Sequence, residues 1–165
     1  MQDTFMSKGG MGMDPLSHAL IGLSLHGLSQ GPSLSNPATI GVIIGAIVPD
    51  LDIIARLKGD YVYLKHHRVE THSIPGIIGL SLITTYLLSF LYTSFAFKEV
   101  FIWTMIGALS HMFFDLLNSY GVAILYPFNR RMYSLNLIMI YDPVIFCWEA
   151  TFYSTVEVPF KKISL

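Results

Sequence analysis

His111 and Asp115 stand four residues apart in a stretch that is otherwise apolar from Val100 to Leu117. On a helix that spacing puts both side chains on one face, and Asn118 extends the stripe. An imidazole and a carboxylate so placed can be two ligands to one metal ion, or a ligand and the partner that orients it. An ionisable group inside an apolar span costs about 3 kcal/mol even on the lenient insertion scale, so its default reading is functional.

Three further groups carry similar chemistry. His18 opens the first apolar segment. Asp50 and Asp52 follow Pro49; two residues apart, they cannot share a face of a regular helix, but an irregular turn could aim both carboxylates at one ion. His66, His67 and His72 flank Arg68 just before a long apolar run, and Thr71 is placed to cap the helix that follows. The planar guanidinium of Arg68 suits a phosphate held at two oxygens. Imidazoles together with carboxylates suit zinc, manganese or iron better than calcium. His26 has no partner at useful spacing and reads as structural. Cys147 is the single cysteine, which excludes a disulfide within the chain and a cysteine-based zinc site.

The elements that must position these residues are those of a membrane. The chain has 165 residues, of which 53% are hydrophobic and 13% charged, about half the charged share of a soluble domain. The mean hydropathy is +0.56. A net charge of -1 without long like-charge runs argues against nucleic acid as a partner. Residues 1–13 read as a flexible leader without the order of a signal peptide, and residues 14–165 as a single membrane-embedded domain.

The clearest segment is Ser73 to Phe97, which carries no charge and is long enough to cross a bilayer with tilt. Lys98-Glu99 then reads as a polar break before Val100 to Leu117, predicting an antiparallel helical hairpin. Ala38 to Val48 carries Gly41 and Gly45 at a spacing that lets helices approach closely in lipid. Leu16 to Leu28 predicts a short or half-spanning helix. Leu135 to Val156 is a further candidate, interrupted by Asp142-Pro143 and Glu149. The expectation is an all-α, multi-pass protein with four to five membrane-embedded helices.

Arg56, Lys58, Lys65 and Arg68 lie before the long run, and Arg130 and Arg131 after Asn118; the turn between has only Lys98. The excess of basic residues puts the first two loops in the cytoplasm, although Lys161 and Lys162 would fall outside if the last segment fully crosses. The histidines and aspartates then converge at the cytoplasmic ends of the helices. One geometric conflict follows. A straight helix from His72 to the turn is about 39 Å long and one from Glu99 to Asp115 about 24 Å, so Asp115 would lie roughly 15 Å deeper. A later helix start or a longer turn would remove the conflict.

Asp14-Pro15-Leu16-Ser17-His18 through Gly22, Pro49-Asp50-Leu51-Asp52, His67-Arg68-Val69-Glu70-Thr71-His72-Ser73 and His111-Met112-Phe113-Phe114-Asp115 together resemble the YdjM-type (LexA-regulated) family of inferred membrane-bound metal-dependent hydrolases. The resemblance covers roughly residues 13 to 145. It implies a bacterial or archaeal inner-membrane protein with hydrolase activity.

On this reading His18, Asp50, Asp52, His67, His72, His111 and Asp115 are ligands of one or two divalent ions or their close partners, zinc first, with manganese or iron as alternatives. His66 stands second to them. Asp52 or Asp115 would act as general base and Arg68 as an anion holder. A phosphoester in a lipid headgroup is the expected substrate. The competing reading is a transporter or ion- and proton-handling protein using the same residues, which calls for polar groups continuing to the opposite face. A third is a membrane adaptor with a structural metal.

Overall fold

The computed structural model describes residues 14–31, 33–51, 68–118 and 121–137. Three of its four described helices begin where a side chain can accept an otherwise unpaired backbone amide. Asp14 caps α1 (Pro15–Gln30) by accepting from the Ser17 amide at 3.1 Å. Asn36 caps α2 (Pro37–Ile47) by accepting from the Ala38 amide at 2.8 Å. In both, proline takes the first helical position, where no amide hydrogen is needed. Four helices are described, the other two being α3 (Ile74–Ser89) and α4 (Phe97–Leu117), and no strand among these residues extends beyond an isolated bridge between Val122 and Tyr133.

The cap of α3 is Ser73, not Thr71. The Ser73 hydroxyl accepts from the Gly76 amide at 3.1 Å and donates to the Glu70 carbonyl at 2.8 Å. It therefore ties the preceding turn to the helix start, while Thr71 Oγ1 lies 3.0 Å from His72 Nδ1.

The long uncharged run is also not one helix. α3 has 16 residues and stops at Ser89. The amides of Phe90 and Leu91 bond carbonyls three residues back, Leu87 and Leu88, which tightens the last turn and ends the helix. A connection over 90–96 follows, and α4 begins at Phe97, so Lys98-Glu99 lies in its first turn rather than between helices. Glu99 there faces the positive end of the helix dipole. The shorter α3 and longer connection remove the expected depth conflict: His72 Nε2 and Asp115 Oδ2 are 3.1 Å apart.

α2 packs most extensively on α4 and next on α1. Its small face makes this possible. A Cβ added at Gly45 would run into the Thr104 carbonyl, and one at Gly107 of α4 into the Val42 carbonyl. Thus the two backbones touch, as the Gly41/Gly45 spacing predicts. Past Ile47 the chain tightens into a 3₁₀ turn over 48–51, which carries Asp50.

Burial runs opposite to that of a water-soluble domain. The interior holds Ala38, Val42, Ala46 and Ala108 together with His18, His26, Thr39, His72, Ser81, Thr85, Thr104, His111 and Asp115. Ile78, Leu82, Ile83, Tyr86 and Leu87 of α3 and Ile102, Leu109 and Phe113 of α4 are exposed. Among the described helices α4, with 21 residues, is long and apolar enough to cross a membrane; α3 and the 37–51 segment are apolar but shorter.

Candidate metal centre

α4 supplies two of the centre's groups. His111 and Asp115 are both fully buried, one turn apart. His111 Nδ1 lies 2.7 Å from the carbonyl oxygen of Ala46, near the end of α2. A carbonyl can only accept, so Nδ1 carries the hydrogen, and in the neutral ring Nε2 keeps its lone pair. That lone pair points at His72 Nε2, 3.1 Å away. A backbone carbonyl holding the outer nitrogen while the inner one faces a polar centre is the usual arrangement of a metal-binding histidine.

His72 reaches the same point from the turn before α3, buried, with its other nitrogen beside Thr71. Asp50, 21% exposed, arrives from the 3₁₀ turn, with Oδ1 3.5 Å from His111 Nε2 and 4.0 Å from His72 Nε2. Asp115 Oδ2 lies 3.1 Å from His72 Nε2 and 3.6 Å from His111 Nε2. One donor atom from each of Asp50, His72, His111 and Asp115 lies within 4.8 Å of all the others, so this group could hold a metal ion. Ligands about 2.1 Å from a tetrahedral ion are separated by about 3.4 Å, and the measured spacings bracket that value.

Arg68 and His18 complete the surroundings. Arg68 Nη2 lies 3.0 Å from Asp115 Oδ1, with the arginine almost wholly buried. Its backbone is in the left-handed region, φ 61°, which costs a non-glycine residue about 1 kcal/mol or more. Its carbonyl accepts from the Ala123 amide at 3.0 Å, which holds this conformation. His18, from α1, stacks on His111 with ring centroids 3.8 Å apart, and its Nε2 is 3.9 Å from Asp115 Oδ1. His18 thus stands beside the four donors and not among them. Neither of its ring nitrogens, nor Asp115 Oδ2, has a hydrogen-bond partner among the described residues. A buried polar atom left so costs about 1–3 kcal/mol, which a bound ion and its waters would offset. Two carboxylates against one guanidinium also leave an excess negative charge, the sign a cation requires.

The sequence-predicted residues divide as follows. His72, His111, Asp115 and Asp50 come together, with Arg68 and His18 in contact. Asp52, His66 and His67 lie outside the described residues, as does most of the candidate segment from Leu135 to Val156. His26 is buried apart from the centre, with Nδ1 3.3 Å from Thr39 Oγ1 and its ring edge-on to Trp103. The Ala46 carbonyl could not be anticipated, because a backbone acceptor has no residue type to signal it. The tie between Arg68 and Asp115 had a signal in the charge of Arg68, which the sequence assigned to substrate.

No solved structure matches the chain. Among curated proteins it is 32% identical over 141 residues to the uncharacterized protein YfhP of Bacillus subtilis (strain 168), an alignment covering 81% of this chain and 43% of the relative. The chain therefore spans less than half the length of the relative it matches. The family model described as YdjM inner membrane protein matches residues 13–161, nearly the whole sequence and every described part of the His/Asp centre. The chain belongs to the YdjM family of inner membrane proteins.

Proposed function

We propose that this chain is a multi-pass inner-membrane hydrolase, that its centre takes a divalent ion, zinc before manganese or iron, and that it cleaves a phosphoester of a lipid headgroup at the cytoplasmic face. The observation that carries this is the meeting of His72 Nε2 and His111 Nε2 at 3.1 Å, with His111 Nδ1 already committed to the Ala46 carbonyl. A single shared proton could bridge the two nitrogens. That proton can serve only two or three of these atoms, whereas an ion takes one donor atom from all four residues together. Three imidazoles and two carboxylates in and around the centre favour zinc over calcium or magnesium.

The ion would supply an acidified water and polarise the scissile group. The chain's own residues set the geometry. Arg68 holds Asp115 by one oxygen, which fixes the other toward the centre. The planar fork of a guanidinium also suits a phosphoryl oxygen. Asp115 is occupied on both oxygens by this scheme, so the general base falls to Asp52 or to Asp50, the more exposed carboxylate of the centre. α1, α2 and α3 are too apolar outside and too polar inside to be stable in water. They are embedded beside α4, and the loops rich in lysine and arginine face the cytoplasm.

The transporter reading has one observation in its favour: Thr39, Thr85 and Thr104 continue the polar interior beyond His111. Thr85 and Thr104, however, donate to their own helix carbonyls, Ser81 at 2.8 Å and Val100 at 2.8 Å. They are satisfied locally and pack as small residues, which favours the hydrolase.

The test is elemental analysis of detergent-purified protein. Wild type is expected to carry zinc, and His111→Ala and Asp115→Ala to lose it. Equal, negligible metal in all three would overturn the metal centre. Phosphodiesterase and phosphatase turnover on phospholipids, abolished in the same variants, is the expected second result; metal-dependent ion flux without turnover would give the transporter reading instead.

A further inference from the structure

The segment after α4 is built as a projection with an apolar and basic surface. Gly121 has φ 72°, Val122 and Tyr133 pair in both directions at 2.9 and 3.0 Å, and the chain between them turns back on itself. Bonds from the Tyr126 amide to the Ala123 carbonyl and from the Asn129 amide to the Leu125 carbonyl make the turn rigid. At its tip Phe128 is 92% exposed, flanked by exposed Leu125 and Met132. Arg130 and Arg131 are exposed beside them, and the Arg130 guanidinium lies 5.3 Å from the Tyr126 ring centroid. Residues 121–137 contain these two arginines and no acidic residue.

The position of this projection is set by α4. The Leu135 amide donates to the Leu116 carbonyl at 2.8 Å, and the Leu137 amide to the Leu117 carbonyl at 2.9 Å. The loop is therefore strapped to the end of the one described helix long enough to cross a bilayer, where that helix would leave the hydrocarbon. Its other root lies at the metal centre, through the bond between the Ala123 amide and the Arg68 carbonyl. An aromatic tip with adjacent arginines at that depth matches the headgroup layer, where rings sit at the boundary and cations meet lipid phosphates.

We propose that residues 124–132 form an interfacial wedge that binds anionic phospholipid, Phe128 entering the acyl boundary and Arg130 and Arg131 holding the headgroups. The wedge rests on α4 crossing the membrane but not on any hydrolytic activity. It has two consequences. The chain collects anionic lipid next to its own centre, and the position of Arg68 is tied to membrane contact.

The test places a fluorescent nitrobenzoxadiazole label at Phe128→Cys, with Cys147→Ser removing the sole native cysteine. The full chain is placed in nanodiscs of phosphatidylcholine, with or without about one-third phosphatidylglycerol. Expected are emission at shorter wavelength when phosphatidylglycerol is present and quenching by lipid spin-labelled near the headgroup. Arg130→Gln and Arg131→Gln should each raise the phosphatidylglycerol needed for half-maximal shift about fivefold. A parallel label at Leu109→Cys, midway along α4, reports on the crossing itself. Deep quenching at position 109 with position 128 open to aqueous iodide would overturn the wedge and leave the crossing standing. Iodide access at both positions would overturn both. A label at position 128 shielded from lipid quencher and iodide alike would mean that protein covers the tip, which also overturns the proposal.

Discussion

His111 is held on one side by a helix carbonyl and on the other by the donors it faces. Removing it takes away a ligand and also leaves the Ala46 carbonyl buried without its partner. His111→Ala should therefore lose the metal and about 2 kcal/mol of stability beyond it, whereas His111→Gln, which can still donate to Ala46, should lose metal with a smaller drop in melting temperature. Thermal melts of the two metal-free variants check the difference. Arg68→Lys tests another division of labour. Lysine keeps the charge near Asp115 but not the planar fork. Metal content should stay near one ion per site, while turnover on a phosphoester falls at least tenfold, read as kcat/KM; loss of metal in this variant would make Arg68 a support of the centre rather than a holder of substrate. The centre's members were legible at this scale because imidazoles and carboxylates are costly in an apolar chain. What was not legible was which of them faces which: the four-residue step from His111 to Asp115 fixes a shared face, but Arg68 could have turned to either substrate or carboxylate.

Among the elements, the contact between α2 and α4 controls the geometry. Gly45 and Gly107 let the backbones touch, and only that closeness brings the Ala46 carbonyl onto His111. Gly107→Val should force the helices apart, costing about 1–3 kcal/mol as overpacking does and weakening metal binding although no ligand is changed; a melt and a zinc titration report the two effects. The sequence announced this contact through Gly41 and Gly45, since small residues four apart have few other uses in an apolar helix. It concealed the end of α3. Hydropathy continues unbroken from Ser73 to Phe97, and what stops the helix at Ser89 is a change in backbone bonding that apolar side chains do not signal. The α3 cap was ambiguous for a related reason. Thr71 and Ser73 are both capping residues, and the structure uses Ser73, whose hydroxyl also donates to the Glu70 carbonyl. Ser73→Ala should cost about 1 kcal/mol and, by loosening the turn that carries His72, reduce zinc affinity; Thr71→Ala should leave the helix start intact.

At the level of the molecule, a polar interior inside an apolar exterior would make an ion held by the centre part of the fold's stability. Chelation should lower the melting temperature of the detergent-solubilised protein, and excess zinc should restore it, since a ligand at about a hundred times its dissociation constant adds about 2.7 kcal/mol. A melting temperature that ignores chelator would contradict the centre described here. The class of the whole, helical and membrane-bound, followed from composition; the number of crossings did not, because α3 and the 37–51 segment are shorter than a bilayer requires of an untilted helix. The donors also arise far apart along the chain: Asp50 in the turn after α2, His72 before α3, and His111 and Asp115 on the last described helix. As the polypeptide is synthesised, the first two emerge long before the carboxylate and imidazole that complete the set. The nascent chain thus carries an incomplete chelate through insertion, and the arrival of α4 is the event that closes it. An ion taken up at this group of donors would therefore mark a finished chain.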